Sequence, residues 1–595
     1  MAVTYASTAP TLCAAFQDTV RRNPDKVAVR TVGDDVTLTF QEWGEQVRRL
    51  AAGFAALEVR RGDTVALMMT NRPEFYPVDV ALQHLGAAPF SIYNTSAPEQ
   101  IKYLLEDSGA VLVVCEAQFV AGVITALDGD EARRVVCVDS APTGCVHLNQ
   151  VAAQGDPAFD FESVWRAVQP DDVLTLIYTS GTTGAPKGVQ LTHANMLAMI
   201  DATEQLIEPS DEERVISFLP SAHVADRWSA LYTLMVVGNQ VTTVSDHKDF
   251  AAALLDTRPT FFGAVPQVWQ KLKAAIEQRL EDVTGMRGAL ARWAVRVGRE
   301  ASDARLDGRP VSVTLETQRL LADTLILAKI RKALGLADVR MAVSGAAPIS
   351  SEVLRFFNGV GIPVSDAWGM SELSGMATMS PPGQVRLGTV GVVVPGARLR
   401  LAEDGEVLVR GPIVMKGYLG KPAQTADTID AEGWVHSGDI GVLDADGYLR
   451  IIDRKKELII NAGGKNMSPS NIENRIKAHS PLIGQAVAIG DNRKYNVALI
   501  CLDIDATMPF AEKHGLAHDP VVLAEDAEIN AIVASAIEQA NSELSRIEQI
   551  KKFVIVPDFW EPGSELLTPT MKLRRKPIDN HYAAAIEELY SGGPR

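Results

Sequence analysis

The chain has 595 residues, 57 Lys and Arg against 74 Asp and Glu, a formal charge of −17 and 47% hydrophobic residues. One hydrophobic core does not serve such a length, so two or more domains of ordinary soluble composition are expected. The acidic balance argues against nonspecific nucleic-acid binding and against a strongly anionic membrane surface, and leaves room for a local basic patch facing a phosphorylated ligand.

Cys13, Cys115, Cys137, Cys145 and Cys501 are scattered, odd in number and without metal-ligand spacing. They read as reduced core thiols of a cytosolic protein. The start of the chain lacks a basic stretch followed by an apolar block, so no signal peptide is expected. No apolar run approaches the ~20 residues of a membrane span. The expected location is cytoplasmic, with a peripheral contact on the inner face of a membrane left open.

In chain order, Trp43, Val47, Leu50, Phe54 and Leu57 fall at helical spacing within residues 41–58. Residues 65–69 read as a buried strand, and a helix follows Pro73. Residues 101–107 read as a helix, and 111–115 and 135–138 as strands. This alternation predicts α/β architecture with parallel-type sheets. Residues 268–335 carry long helical patterns rich in Arg, Lys, Ala and Leu with little strand signal. They read as a helical insertion, either shaping specificity or decorating the surface. Beyond about residue 388, residues 406–410 alternate like a strand, and Asp444-Ala445-Asp446-Gly447 is a turn before a strand over 448–452. The charged run Asp453-Arg454-Lys455-Lys456-Glu457 then reads as an exposed connection, a hinge or a hairpin end, to a smaller α/β segment of domain size.

The strongest chemical signal is Tyr178-Thr179-Ser180-Gly181-Thr182-Thr183-Gly184-Ala185-Pro186-Lys187-Gly188. Small residues let backbone N–H groups and hydroxyls wrap phosphate oxygens closely, and Lys187 adds charge. The spacing is not that of a Walker loop; a bare surface loop is the competing reading. Further motifs are Leu219-Pro220-Ser221-Ala222-His223, Ser344-Gly345-Ala346-Ala347-Pro348, Asp366-Ala367-Trp368-Gly369-Met370-Ser371-Glu372 and Ser437-Gly438-Asp439. Ala462-Gly463-Gly464-Lys465-Asn466 and Leu567-Thr568-Pro569-Thr570-Met571-Lys572 complete the set. Singly they are ambiguous: a lone histidine is more often structural, and Gly-Asp pairs and glycine turns are common.

Together these motifs resemble those of the adenylate-forming enzymes (acyl-CoA synthetases, luciferases and adenylation domains) over roughly residues 10–580. The helical insertion resembles, more loosely, that of the long-chain fatty acid:CoA ligase branch. The resemblance implies ATP-dependent activation of a fatty acid to acyl-AMP with release of pyrophosphate, then transfer to CoA. The cofactors implied are ATP and Mg²⁺, with CoA as cosubstrate and no nucleic acid as partner. Two alternatives stand beside it: an acyl-AMP ligase loading a separate acyl carrier protein, and a noncatalytic acyl-adenylate or acyl-CoA sensor. The implied fold is a large N-terminal α/β region, residues 1–453, with parallel-type sheets and a small β subdomain. A smaller mobile C-terminal α/β domain, residues 454–595, turns about a hinge at Lys456.

The resemblance also implies roles. Thr179, Ser180, Gly181, Thr182, Thr183, Gly184 and Lys187 would hold phosphate, and Gly345, Ala346 and Ala347 would line the adenine and acyl pockets. Asp366 and Gly369 lie in the nucleotide-binding motif, where Trp368 would stack on adenine, Ser371 would touch the α-phosphate and Glu372 would hold Mg²⁺. His223 would stand beside the reacting carboxylate. Asp439 would take the ribose hydroxyls with Arg454 nearby. Gly463 and Lys465 belong to the loop presented for thioester formation, and Lys572 enters for adenylation alone. Trp368 and Ser371 replace the commoner Tyr and Thr but keep a π-face and a hydroxyl. Met571 stands where glycine is frequent. Lys576, Lys551 and Lys552 lack the matching context of Lys572.

Overall fold

A computed structural model describes residues 5–591 apart from 131–132, 141, 180–184, 208–209, 211, 461–465 and 569–570. Near its start, the helix Phe40–Ala56 forms where the apolar spacing predicts. The Thr39 hydroxyl accepts from the Glu42 N–H, and the Glu42 carboxylate accepts from the Thr39 N–H, satisfying two orphan donors at once. Its face of Phe40, Trp43, Val47, Leu50 and Phe54 is buried. The predicted strands near 65, 111 and 135 become Thr64–Met68, Leu112–Cys115 and Arg134–Cys137. With Ala88–Ser91 and Cys145–His147 they build a five-stranded, all-parallel sheet, the α/β arrangement the alternation implied.

A second sheet joins Phe261–Ala264, Met341–Ser344 and Val364–Trp368 in parallel, then continues antiparallel through Thr378–Met379 and Val392–Val393. The small β subdomain is an antiparallel sheet of Arg398–Leu401, Glu406–Arg410, Val435–Leu443 and Leu449–Arg454. The smaller C-terminal unit has its own sheet, Ile483–Ile489, Asn496–Leu502 and Ile550–Ile555. Two apolar clusters flank that sheet: one holds Ile472, Ile500, Ile529 and Val533, the other Leu499, Leu567 and Ile578. Among the described residues no helix is long and apolar enough to cross a membrane.

The insertion is helical as expected, with helices Pro266–Asp282, Gly285–Leu306, Val313–Ala322 and Ala328–Ala333. A Cβ on Gly298 would lie 2.3 Å from the Gly359 carbonyl oxygen, so only glycine lets the second of these helices approach Ser351–Gly359 this closely.

The charged run 453–457 is not exposed throughout. Asp453 is only 4% exposed. Its carboxylate accepts from Ser468 Oγ at 2.6 Å, the Ser470 N–H at 3.0 Å and Ser470 Oγ at 3.2 Å. A buried charge is tolerated only when its lone pairs are filled in this way. The sequence pattern missed it because the donors lie fifteen and seventeen residues downstream.

Candidate functional site

Strands Val173–Thr179 and Lys187–Thr192 pair antiparallel, with Thr179 opposite Lys187. Of the loop between them, Ser180, Gly181, Thr182, Thr183 and Gly184 lie outside the described residues. Both ends are anchored. Tyr178 Oη donates to Asp107 at 3.0 Å, and Tyr103 Oη donates to the Pro186 carbonyl at 2.8 Å. Lys187 Nζ sits 4.3 Å from the centroid of the Tyr418 ring, a cation–π contact. Tyr418 Oη donates to Glu372 Oε1 at 2.7 Å. The loop lysine and the buried carboxylate thus meet on one tyrosine.

Glu372 is 7% exposed on a short helical turn, Ser371–Leu373. A carboxylate offers about four lone-pair sites, so the bond from Tyr418 leaves capacity for a cation. Among the described residues no three or more His, Cys, Asp and Glu side chains gather as a metal cage. One carboxylate fits Mg²⁺ that shares its shell with substrate phosphates and water.

Gly369 has no room for a side chain: a Cβ would meet the Gly375 carbonyl oxygen at 2.2 Å. That close approach folds the segment after the strand Val364–Trp368 back on itself. Trp368 Nε1–H donates to Asp439 Oδ2 at 2.7 Å. Arg454 Nε lies 2.9 Å from Asp439 Oδ1, and Asp439 and Arg454 face each other across adjacent strands. Each Asp439 oxygen therefore keeps a free lone pair while its orientation is fixed. Asp366, on the same strand as Trp368, has its carboxyl pushed well above the usual range by withdrawal from water. Gly345, Ala346 and Ala347 follow the parallel strand Met341–Ser344. Ala346 takes φ +69°, a left-handed conformation uncommon outside glycine.

His223 caps the next helical segment: its Nδ1 accepts from the Ala225 N–H at 3.1 Å. A neutral ring that accepts at Nδ1 carries its proton on Nε2, which is free to donate. Burial first, and the Lys572 charge second, push its pKa down to about 4. The turn before it is fixed by Arg227, which opens the π-helix Arg227–Tyr232. Fully buried, Arg227 donates Nε to the Ser221 carbonyl at 3.0 Å and Nη2 to Ser91 Oγ at 3.0 Å. Its Nη1 lies 2.8 Å from Asp79.

Lys572 comes from the small domain. It is exposed to solvent, at the mouth of a crevice where its charge couples to Arg454, Asp439, Glu372, Glu457 and His223. Withdrawal from bulk water and the nearby Arg454 lower its pKa, while Asp439, Glu372 and Glu457 oppose that shift. Just before it, the Met571 N–H donates to the Thr568 carbonyl at 2.9 Å. Met571 has φ +63°. Glycine is at ease in that conformation, whereas another residue bears about 1–2 kcal/mol of strain. Lys455 pairs with Asp404 and lies 3.3 Å from Glu406 of the large domain. Glu457 lies 3.2 Å from Arg575 of the small domain. Lys456 is the exposed residue between these two attachments. Gly463 and Lys465 lie outside the described residues.

The motifs gave no sign of Tyr418 or Arg227. Tyr418 sits in a two-residue strand, Gly417–Tyr418, too short for a periodic signal. Arg227 lies four residues beyond the histidine motif, and an arginine on an apolar helix was the available clue.

Residues 16–419 match the family model described as AMP-binding enzyme, and residues 456–593 match that of the AMP-binding enzyme C-terminal domain. Over 442 residues, 74% of this chain and 77% of the relative, the chain is 54% identical to a Mycobacterium tuberculosis protein named "Putative fatty-acid--CoA ligase fadD11". Over 585 residues, 96% of this chain and 95% of the relative, it is 36% identical to the long-chain-fatty-acid–CoA ligase FadD15 of the same organism. Among solved structures, the o-succinylbenzoate coenzyme A synthetase MenE of Bacillus subtilis, in complex with ATP and magnesium ion, shares the fold. Its TM-score is 0.68 at 21% identity, over 94% of this chain and 98% of that one. The chain belongs to the family of AMP-binding enzymes.

Proposed function

We propose that the protein is an ATP-dependent fatty acid:CoA ligase that acts on long chains and forms acyl-AMP as its intermediate. The observation that carries this reading is the convergence of Lys572 with Glu372, Asp439, Arg454 and His223 at one crevice. The names of the relatives support the class of acid and the CoA acceptor.

A carboxylate is a poor acyl donor because its leaving group would be oxide, so one oxygen must first be joined to AMP. His223 Nε2–H orients the acid. Lys572 stands between the acid and the α-phosphate, where both are anionic. One such contact at ~4 Å and an effective dielectric near 20 is worth about 4 kcal/mol before desolvation. Realised only as charge develops, it lowers the barrier rather than the ground state. Lys187, Ser371 and the loop 179–184 hold the phosphates, with Asp366 and Gly369 beside the nucleotide. Asp439, held by Trp368 and Arg454, takes the ribose hydroxyls. Bound through Glu372, Mg²⁺ would neutralise phosphate charge in the transfer.

After pyrophosphate leaves, the small domain turns about Lys456. Lys572 withdraws and the segment of Gly463 and Lys465 takes its place for attack by the CoA thiol on the mixed anhydride. The boundary between the domains then lies at Lys456, with residues 454 and 455 moving with the large domain. The test is a panel of fatty acids assayed for CoA-dependent AMP release. Acid-dependent AMP and acyl-CoA in equal amounts support the reading. Acyl transfer only to a carrier protein would replace CoA as acceptor, and acid binding without AMP would make the protein a sensor.

A further inference from the structure

Asp107 lies in none of the motifs, yet its carboxylate meets the chain segments that flank the phosphate loop. It stands in the last turn of the helix Pro98–Ser108, where an acid faces the negative end of the helix dipole. Donors from outside that turn offset the placement. Tyr178 Oη donates to Asp107 Oδ2 at 3.0 Å, and Lys421 Nζ pairs with Oδ1. One turn back on the same helix, Tyr103 Oη lies 3.3 Å from Oδ1 and donates to the Pro186 carbonyl at 2.8 Å. The Asp107 side chain is only 14% exposed.

These partners belong to the three strands of one sheet. Val173–Thr179 pairs antiparallel with Lys187–Thr192, which pairs antiparallel with Gly417–Tyr418 on its other side. Tyr178 lies at the end of the first strand, Pro186 just before the second and Lys421 just beyond the third. The Leu419 N–H donates to the Gly188 carbonyl at 2.9 Å, which extends the third strand towards Lys421. Gly188 stands opposite Tyr178. A Cβ there would lie 3.1 Å from Tyr178 Cζ and 3.3 Å from its Oη, so the glycine leaves the ring room to reach Asp107. The same three strands carry Thr179, Lys187 and Tyr418, and through Tyr418 they hold Glu372.

We propose that Asp107 is a positioning residue for the phosphate loop. By fastening the ends of the three strands together, it sets where Thr179 and Lys187 meet the β- and γ-phosphates of ATP. What the loop holds rests on the ATP-dependent reading above. The sign of the Asp107 charge separates this role from a direct electrostatic one. Acting as a charge alone, Asp107 repels phosphate, and its removal would tighten ATP. Acting as a clamp, its removal weakens ATP, because a displacement of about 1 Å in a positioning group costs on the order of 10²-fold.

The test is calorimetric titration of the full chain, as wild type, Asp107→Asn and Tyr178→Phe, with a nonhydrolysable ATP analogue plus Mg²⁺ and with AMP. Asp107→Asn keeps the side-chain shape and removes the charge, and Tyr178→Phe keeps the ring and removes one donor. Each variant should bind the analogue at least about tenfold more weakly. Each should bind AMP as the wild type does, because AMP lacks the β- and γ-phosphates, and that unchanged affinity shows that the variant folds. In acid-dependent pyrophosphate exchange, the KM for pyrophosphate should rise while the KM for the acid stays. A wild type without exchange would defeat the fatty-acid reading and leave the comparison of analogue with AMP to decide the role of Asp107. Affinity for the analogue that is unchanged or tighter in Asp107→Asn, or a loss of analogue and AMP together in Tyr178→Phe, the milder change, overturns the proposal.

Discussion

The indole N–H of Trp368 donates to the Asp439 carboxylate at 2.7 Å, across 71 residues of sequence. The ring that resembles the adenine-stacking aromatic is thereby also a positioning group for the acid assigned to ribose. Trp368→Phe keeps a π-face and removes the donor. Bonds of this charge-assisted kind contribute about 1.5–3 kcal/mol, so the apparent KM for ATP should rise about tenfold or more. Asp439→Ala should raise it further. Titration of the initial rate against ATP checks both, and an unchanged ATP dependence in Trp368→Phe would remove the bond from the account.

The two half-reactions should separate by mutation. Lys572→Ala should lower acyl-AMP formation by about 10²–10³, while synthetic acyl-AMP is still converted to acyl-CoA. Lys456→Pro fixes φ at the pivot and removes an N–H. It should keep acid-dependent pyrophosphate exchange and lose thioester formation. Equal failure of both variants in both half-reactions would contradict a turning small domain.

Arg227 fixes the turn that carries His223. Arg227→Met leaves Asp79 buried without its cation, a loss of about 3–5 kcal/mol in stability. Chemical denaturation checks this; a stability within 1 kcal/mol of wild type, on the order of a surface substitution, would mean that Asp79 is neutral without its partner.

Acid should destabilise the fold through buried neutral histidines. Withdrawal from water pushes His84 down to about 4 and His193 down to about 3. His193 Nδ1 accepts from the Leu12 N–H at 3.2 Å. An unfolded imidazole titrates near ~6.5, so below that pH the unfolded chain binds more protons than the folded one. Stability is therefore full above ~6.5 and falls as pH drops towards ~4, by on the order of 3 kcal/mol per histidine. Urea midpoints measured between those limits should show the slope, and His193→Gln should flatten part of it. An unchanged slope in that variant would contradict the assignment.

Much of the fold was legible because it is local. Strands at 65, 112 and 134 alternate with helices within a few turns of chain, and burial enforces that periodicity. The hairpin about the Asp444–Gly447 turn was legible, but its plain register would set Asp439 opposite Asp453; a bulge between Ile440 and Gly441 shifts the pairing so that Asp439 faces Arg454. Side-chain partnerships across the fold were not legible. Tyr418 joins Lys187 and Glu372 only because three separate chain segments meet. Asp453 looked like one more solvated charge until the serines of the next domain closed over it. Met571 at the position where glycine is frequent shows its reason only in its positive φ.

The reaction proposed for the crevice around Lys572 joins a fatty acid to AMP before any thiol is involved. The most direct measurement is to incubate the protein with ATP, Mg²⁺ and a fatty acid without CoA, and to identify the enzyme-bound product by mass. Acyl-AMP and free pyrophosphate are expected, with acyl-CoA and AMP appearing when CoA is then added. Release of ADP with an acyl phosphate, or no reaction of the acid until CoA is present, would contradict it.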